Sequence, residues 1–351
     1  MGSRVGIVGV GWSGFAPTTP GVSYKELMFE AARRAYDDAG LDPRTQIDSF
    51  VACSEDLDEG TSIFDEYVPD QLGAVQRPVQ TITADGLFGL ITGVMLIRSG
   101  LAATVAVEAH SKASDVVSRG RIERFALDPV LNAPLGMAPI VLAGLEMRRY
   151  LHASGRTVAE CTEVGERNRE HARSNPRASG RDRPAPDAVA EPLTRDQVAP
   201  SADGCVVMVL ADEDRAGEGA VWVDGVGWSQ DAPSLESRDW ERAVYATRAA
   251  GDAFSRADAT PAVVDLVEVD DRFAYKQLQH LDAMGLAELD PARVNASGGA
   301  LGEGNLHEAN GLARVLACVE CLRAGEARVA LAQTWRGIPS SSGAVAVLRR
   351  G

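Results

Sequence analysis

TADGLFGLITGVMLIRSG at 83–100 and EANGLARVLACVECLRAG at 308–325 align without a gap. Ala84/Ala309, Gly86/Gly311, Leu87/Leu312, Arg98/Arg323 and Gly100/Gly325 are identical. Each segment is an apolar helical run followed by a strand-like stretch, TVAVEA or RVALAQ. Working outward, the neighbouring blocks repeat in the same order. GVGWS stands at Gly9–Ser13 and again at Gly225–Ser229, each time closing a β-branched run, VGIVGVG or VWVDGVG. Helix-period segments follow at Tyr24–Ala39 and Trp240–Ala257. Both lead through a proline, Pro43 or Pro261, into strands, IDSFVAC at 47–53 and VDLVEVD at 264–270. CVVMVLA at 205–211 and AVAVLRR at 344–350 close the two arrays. Chance explains one five-residue match but not four matched blocks in one order, so the chain is internally duplicated.

The repeat divides the chain into residues 1–215, carrying a long insertion at about 111–200, and residues 216–351. Alternating strands and helices imply an α/β protein with mixed sheets layered between helices. The insertion is too long to be mere connection, and such segments cover a site or an interface. Gly86 and Gly311 are expected to let two equivalent helices approach closely at a pseudo-twofold axis. The duplication also removes a tempting motif. Gly9-Val10-Gly11-Trp12-Ser13-Gly14 is formally G-x-G-x-x-G, which binds dinucleotides only when a helix starts at once. The prolines of FAPTTPG forbid that, and the second copy lacks the last glycine.

With 351 residues, 45% hydrophobic and 24% charged, the composition is that of an ordinary globular protein. A net charge of −15 argues against nucleic acid, whose phosphates need clustered Lys and Arg. Cys53, Cys161, Cys205, Cys318 and Cys321 are scattered and odd in number, as in a reducing cytoplasm. Cys318-x-x-Cys321 lies within an apolar helical run and reads as packing rather than a metal site. MGSRVGIVGVG has no apolar core of signal-peptide form, and the longest apolar stretch, Gly86 to Ile97, is too short to span a bilayer. The expectation is a cytoplasmic protein, with no membrane association.

A duplicated array of this kind resembles the thiolase superfamily. The most specific match is Asn295-Ala-Ser-Gly-Gly-Ala-Leu-Gly-Glu-Gly-Asn305-Leu-His307-Glu-Ala-Asn-Gly311, where thiolases read N-x-S/D-G-G and then G-H-P-x-G-A-x-G. SADG at 201–204 is similar to the family as well. So is VEVDDRF at 267–273, where relatives read H-D-x-F or N-E-A-F. The likeness covers nearly the whole chain and is nearest to the lipid-transfer-protein/SCP-x branch with its steroid side-chain aldolases. It implies the thiolase fold, two pseudo-equivalent halves in α-β-α-β-α layers. It implies no bound cofactor, with coenzyme A present as part of the substrate, and it assigns Ser297, Gly298 and Gly299 to that part.

The family's chemistry needs a cysteine thiolate to take the acyl group, a histidine to activate it and a second base. By the resemblance the cysteine position, three residues before the central-helix glycine, is Thr83. The G-H-P histidine falls on Asn305, the histidine of H-D-x-F on Asp270, and the C-terminal cysteine near Thr334. Conventional Claisen chemistry is therefore not expected. Asp270, Asp271, Glu303, Asn305 and His307 would gather near Thr83 and Asp85. In that arrangement Asn305 is the candidate oxyanion donor, Asp270 a candidate general base, and His307 a group titrating near neutrality. Asp271, Glu303 and His307 have a plain alternative as loop-holding residues. His110, His152, His171 and His280 read as surface or packing residues.

Three functions fit. The first is carbon–carbon bond cleavage or formation on an acyl-CoA, aldolase-type, without a cysteine acyl-enzyme. The related steroid aldolases use tyrosines where this chain has Asp270 and Asn305. The alternative is a non-catalytic thiolase-like subunit supporting an active thiolase or an OB-fold/zinc-ribbon partner. A further alternative is a condensing acyltransferase using Thr83 or no covalent intermediate. In each case the expected state is a homodimer or a heteromer.

Overall fold

The computed structural model describes residues 4–55, 67–116, 119–232, 234–337 and 341–351. β1 (Val5–Ala16) leads to α1 (Tyr24–Ala39), which opens on a Ser23–Glu26 capping box and closes on Gly40 at φ 65°. β2 (Ser49–Cys53) and β3 (Val79–Ile82) precede α2 (Gly86–Arg98), and β4 (Thr104–Lys112) follows it. The insertion folds into α3 (Pro139–Ser154), α4 (Val158–Ala172) and a small hairpin, β5 (Ala188–Ala190) with β6 (Leu193–Thr194). β7 (Asp203–Asp212) completes the first array. The second runs β8 (Val221–Gln230), α5 (Val244–Arg256), β9 (Leu266–Val269), α6 (Ala274–Met284), α7 (Asn310–Ala324), β10 (Val329–Arg336) and β11 (Ser342–Arg350).

Among the described residues the main sheet has the order β3-β2-β4-β7-β1-β8-β11-β10-β9. Read from the β1/β8 junction outward, both sides carry their equivalent strands in the same order. β8, β11, β10 and β9 mirror β1, β7, β4 and β2. Only Gly6–Trp222 and Ile7–Val221 pair across the junction. β3 has no full counterpart, only an isolated bridge between Val267 and Val294.

The glycines of the two GVGWS copies do the same work. A Cβ on Gly9 or Gly11 would strike the α1 backbone at Ala31, Ala35 and Ala39. On Gly225 or Gly227 it would strike the α5 backbone at Ala249, Ala253 and Ala257. These glycines thus let each outer helix lie directly on its strand. β1 continues through the whole G-x-G-x-x-G motif to Ala16, and α1 starts only at Tyr24, so no dinucleotide loop forms.

α2 and α7 pack against each other within the core that β1, β2, β4, β7, β8, β10 and β11 share. Each helix reaches across the junction at its last turn. Arg98 donates to the Val223 carbonyl at 3.2 Å, and its repeat mate Arg323 donates to the Val8 carbonyl at 3.2 Å. α1 covers one outer face and α5 the other, which completes the α-β-α-β-α layering. No helix among the described residues is long and apolar enough to cross a membrane.

Candidate functional site

A cavity of about 820 Å³ opens where the head of α2 meets the turn before α7 and the ends of β8 and β10. That is within the usual range for small-ligand sites. The second array contributes Trp228, Arg272, Phe273, Asn305, His307, Glu308 and Arg336, and the head of α2 contributes Thr83, Asp85 and Phe88. The insertion contributes Arg119, Ile122, Phe125, Ile140 and Val198. None of the five cysteines lines it. Cys53, Cys161, Cys205 and Cys318 are buried elsewhere, and burial pushes their thiols up, that of Cys161 to about 12. Among the described residues no group of three or more His, Cys, Asp and Glu converges as metal ligands would.

Thr83 is exposed on the cavity wall, and its carbonyl accepts from Arg336 at 2.6 Å. Two residues on, Asp85 caps α2. Its Oδ1 accepts from the Leu87 N–H at 2.8 Å and its Oδ2 from the Gly311 N–H at 2.9 Å. One carboxylate therefore closes the heads of both central helices at the pseudo-twofold. Burial raises its pKa to about 7, against the opposite pull of those two donors. Gly311 is required here because a Cβ would fall inside the Asp85 carboxylate.

Asn305 and His307 stand together on the wall. The Asn305 side chain accepts at Oδ1 from the His307 N–H at 3.2 Å and from Asn310 Nδ2 at 2.6 Å. Its Nδ2 lies 3.5 Å from His307 Nδ1, and His307 Nε2 lies 3.0 Å from Ser201 Oγ. Backbone bonds from Asn305 N to the Pro200 carbonyl and from Ala202 N to the Asn305 carbonyl clamp the two segments side by side. His307 has a φ of 50°, an uncommon conformation for a residue with a Cβ, and such strain collects at functional sites. The expectation that His307 titrates near neutrality is corrected. Burial and the charge of Arg119 lower its pKa to about 3, so the ring is neutral under ordinary conditions.

The two aspartates of VEVDDRF have other partners. Asp270 is fully buried and does not line the cavity. It accepts from Arg272 Nη2 at 2.9 Å, which holds that guanidinium over the Trp335 ring at the cavity wall. Thr334 is buried beside it, its hydroxyl 3.4 Å from Asp270 Oδ2. Asp271, also buried, accepts from the Ala300 N–H at 2.5 Å and from Asn168 Nδ2 at 2.6 Å, tying the turn at 299–303 to α4. Burial raises its pKa to about 6.

Glu303 is enclosed by Arg314 and Arg177. Ser297 donates to Glu268 at 2.7 Å, and a Cβ on Gly298 would meet Ala172 of α4. A Cβ on Gly299 would meet the Asp271 carboxylate. Gly298 thus seats α4, and none of Ser297, Gly298 and Gly299 lines the cavity. The structure brings together Thr83, Asp85, Asn305 and His307, and it does not bring Asp270, Asp271 or the Ser-Gly-Gly turn to the wall.

Arg272, Ser201 and the Arg119–Glu308 pair, 3.0 Å apart, were missed as site residues. Arg272 and Ser201 lay inside quoted motifs, and their signal was adjacency to the residues singled out. Arg119 had no local signal. His110 and His280 are indeed packing residues: His110 pairs with Glu108, and His280 meets the Tyr245 hydroxyl at 2.9 Å.

No protein-family model matches this chain. Across 92% of its length it is 27% identical to an acetyl-CoA acetyltransferase of Methanothermobacter thermautotrophicus, covering 91% of that protein. It is 26% identical over 90% of its length to sterol carrier protein 2 of Gallus gallus, of whose length the match covers only 65%. It is 24% identical to the 17-hydroxy-3-oxo-4-pregnene-20-carboxyl-CoA lyase of Mycobacterium tuberculosis, over 89% of this chain and 90% of that one. Among solved structures, the Ltp2-ChsH2(DUF35) aldolase superposes with a TM-score of 0.80 at 20% identity, covering 99% of this chain and 98% of that one. A monomeric SCP2-thiolase like protein of Mycobacterium smegmatis gives 0.77 at 21% identity, over 98% and 77%. Human mitochondrial 3-ketoacyl-CoA thiolase gives 0.78 at 16% identity, over 99% of both chains. The chain has the thiolase fold of these solved structures.

Proposed function

We propose that this chain acts on an acyl-CoA thioester, breaking or forming a carbon–carbon bond by an aldolase-type step without a cysteine acyl-enzyme. One observation carries the reading: the cavity joins a carboxylate, Asp85, to neutral hydrogen-bond donors and contains no thiol. Likeness to a carboxyl-CoA lyase and to the Ltp2-ChsH2(DUF35) aldolase supports it.

In the cleavage direction the substrate is a β-hydroxyacyl-CoA. Asp85 takes the β-hydroxyl proton, the Cα–Cβ bond breaks, and the β-carbon leaves as a ketone or aldehyde. The electron pair passes to the thioester as an enolate, whose oxygen Asn305 stabilises. Asp85 then returns the proton to Cα, so no oxidant or reductant is required. A carboxyl with a pKa near 7 suits both halves of that exchange. Asp270, which the sequence offered as the base, is assigned instead to positioning Arg272.

The second reading, a non-catalytic subunit beside an active partner, is favoured by the internal engagement of Asp270, Asp271 and Glu303. Both readings are tested by turnover of β-hydroxyacyl-CoA thioesters by the chain alone and with any protein that co-purifies. Release of ketone or aldehyde that disappears in Asp85→Asn supports the enzyme. Turnover by the assembled pair that is unchanged in Asp85→Asn and Asn305→Ala assigns the chemistry to the partner. A covalent acyl group on Thr83, read by mass spectrometry, would replace both with condensation.

A further inference from the structure

We propose that Ser201 is the second donor to the thioester carbonyl, paired with Asn305, and that His307 is the positioning residue that orients and polarises its hydroxyl. The inference rests on the acyl-CoA reading above and adds to it the group that completes the oxyanion site.

The argument follows the hydrogen bonds atom by atom. The Leu306 N–H donates to Asn310 Oδ1 at 2.8 Å, which fixes the Asn310 amide and leaves its Nδ2 to donate to Asn305 Oδ1. The His307 backbone N–H donates to the same oxygen. With two donors on Oδ1, the Asn305 NH₂ is the group that faces His307 Nδ1. A donor at Nδ1 requires the lone pair there, so the proton of the neutral ring sits on Nε2. That N–H points at Ser201 Oγ, 3.0 Å away.

The direction matters. In a nucleophilic dyad the imidazole must accept from the serine, with its far nitrogen donating to an acceptor. Here the far nitrogen is the acceptor, so His307 donates and Ser201 is not activated for attack. A hydroxyl whose oxygen already accepts a bond is a stronger donor, because chained bonds polarise one another. Ser201 is exposed on the cavity wall, and its proton is left to point inward. The Asn305 amide has a second N–H, and the residue lines the same wall. The backbone clamp between Pro200–Ala202 and Asn305 holds both donors in fixed relation. Preorganised neutral donors of this kind stabilise charge developing on an oxygen without reorganising.

The test uses [1-¹³C]hexanoyl-CoA, which has no β-hydroxyl to cleave, with the protein and any native partner. Binding is measured by calorimetry and carbonyl polarisation by isotope-edited infrared spectroscopy. We expect the bound carbonyl to shift to lower frequency in the wild type. Ser201→Ala and Asn305→Ala should each lose part of that shift while still binding, and should lower β-hydroxyacyl-CoA turnover by about 10²–10³-fold. His307→Ala should mimic Ser201→Ala, whereas His307→Gln, whose amide can still donate, should restore part of the shift. An unchanged shift in Ser201→Ala that still binds overturns the inference and leaves the acyl-CoA reading standing. Labelling of Ser201 by a fluorophosphonate also overturns it, because it would make Ser201 a nucleophile. Absence of hexanoyl-CoA binding removes the acyl-CoA reading and this inference with it.

Discussion

A base at Asp85, as proposed above, would set a pH dependence. Its carboxyl titrates near 7 in the folded chain and near ~3.9 when unfolded, so folding retains its proton between those limits. Its contribution to stability is therefore full below about pH 4 and is lost as pH rises through about 7. Activity moves the other way, because only the carboxylate is a base. We predict that kcat/KM rises through an apparent pKa near 7, and that Asp85→Asn removes this limb with a loss of ~10²–10⁴-fold. A wild-type profile flat from pH 5 to 9 would reject Asp85 as the base. Thr83→Ala should change turnover little, since among the described residues it is the Thr83 backbone carbonyl, not the hydroxyl, that is engaged, by Arg336. The sequence singled out Asn305 and His307 by motif position, and both stand at the wall. Asp270 and Asp271 were named by the same logic, but adjacent residues point to different partners. Asp270 holds Arg272 and Asp271 caps the turn at 299–303. A motif states which residue follows which, whereas direction depends on elements far along the chain.

Among the elements, the central helix pair is the best test of the duplication. Gly86 meets Leu312, and Gly311 meets Asp85 and Leu87. A side chain at either must push the helices apart or displace the Asp85 carboxylate. Gly311→Ala should cost about 1–3 kcal/mol or more, as overpacking does. Gly251 on α5 has nothing within 4 Å of an added Cβ, so Gly251→Ala should instead stabilise by about 0.5–1 kcal/mol. Urea unfolding of the two variants reads the contrast, and equal effects would contradict the close approach. α1 was legible to the residue because period, capping box and terminal glycine agree. β3 was not, since four residues on the rim of a sheet carry too short a pattern. α6 was missed because its buried residues include polar ones, Lys276, Gln277, Gln279 and His280, so burial there does not follow the apolar pattern.

At the scale of the whole molecule, the insertion is joined to the second array by buried charge. Glu146 of α3 accepts from Lys276 at 2.9 Å, Tyr275 at 2.7 Å and Arg238 at 2.6 Å. Burial works against its ionisation, but those cations hold its pKa below the usual carboxylate range. Removing Glu146 leaves Lys276 and Arg238 buried without their carboxylate, so Glu146→Leu should cost about 3–5 kcal/mol. Arg33→Ala, which breaks an exposed pair with Glu30 on α1, should cost less than about 1 kcal/mol. Thermal unfolding that shows no difference between the two would contradict this account. Among the described residues β3 forms the rim of the main sheet, while the opposite rim is bridged at Val294. Unpaired rims invite pairing, so we predict a dimer or a heteromer, checked by light scattering at micromolar concentration. A stable monomer with no partner would refute it.

The sequence by itself determined the duplicated α/β array, the helix pair at its centre and the absence of a cysteine three residues before Gly86. Each is a local or periodic property, and two copies of a pattern reinforce each other along the chain. Only the tertiary structure decided which polar groups meet. It closed two helices on one carboxylate at Asp85, brought the His307 ring against Ser201 and enclosed Asp270 behind Arg272. Those outcomes depend on burial and on donors brought from up to 226 positions away, the separation of Gly311 from Asp85. Hydrogen-bond direction and desolvation are properties of the packed interior, and no stretch of the chain carries them alone.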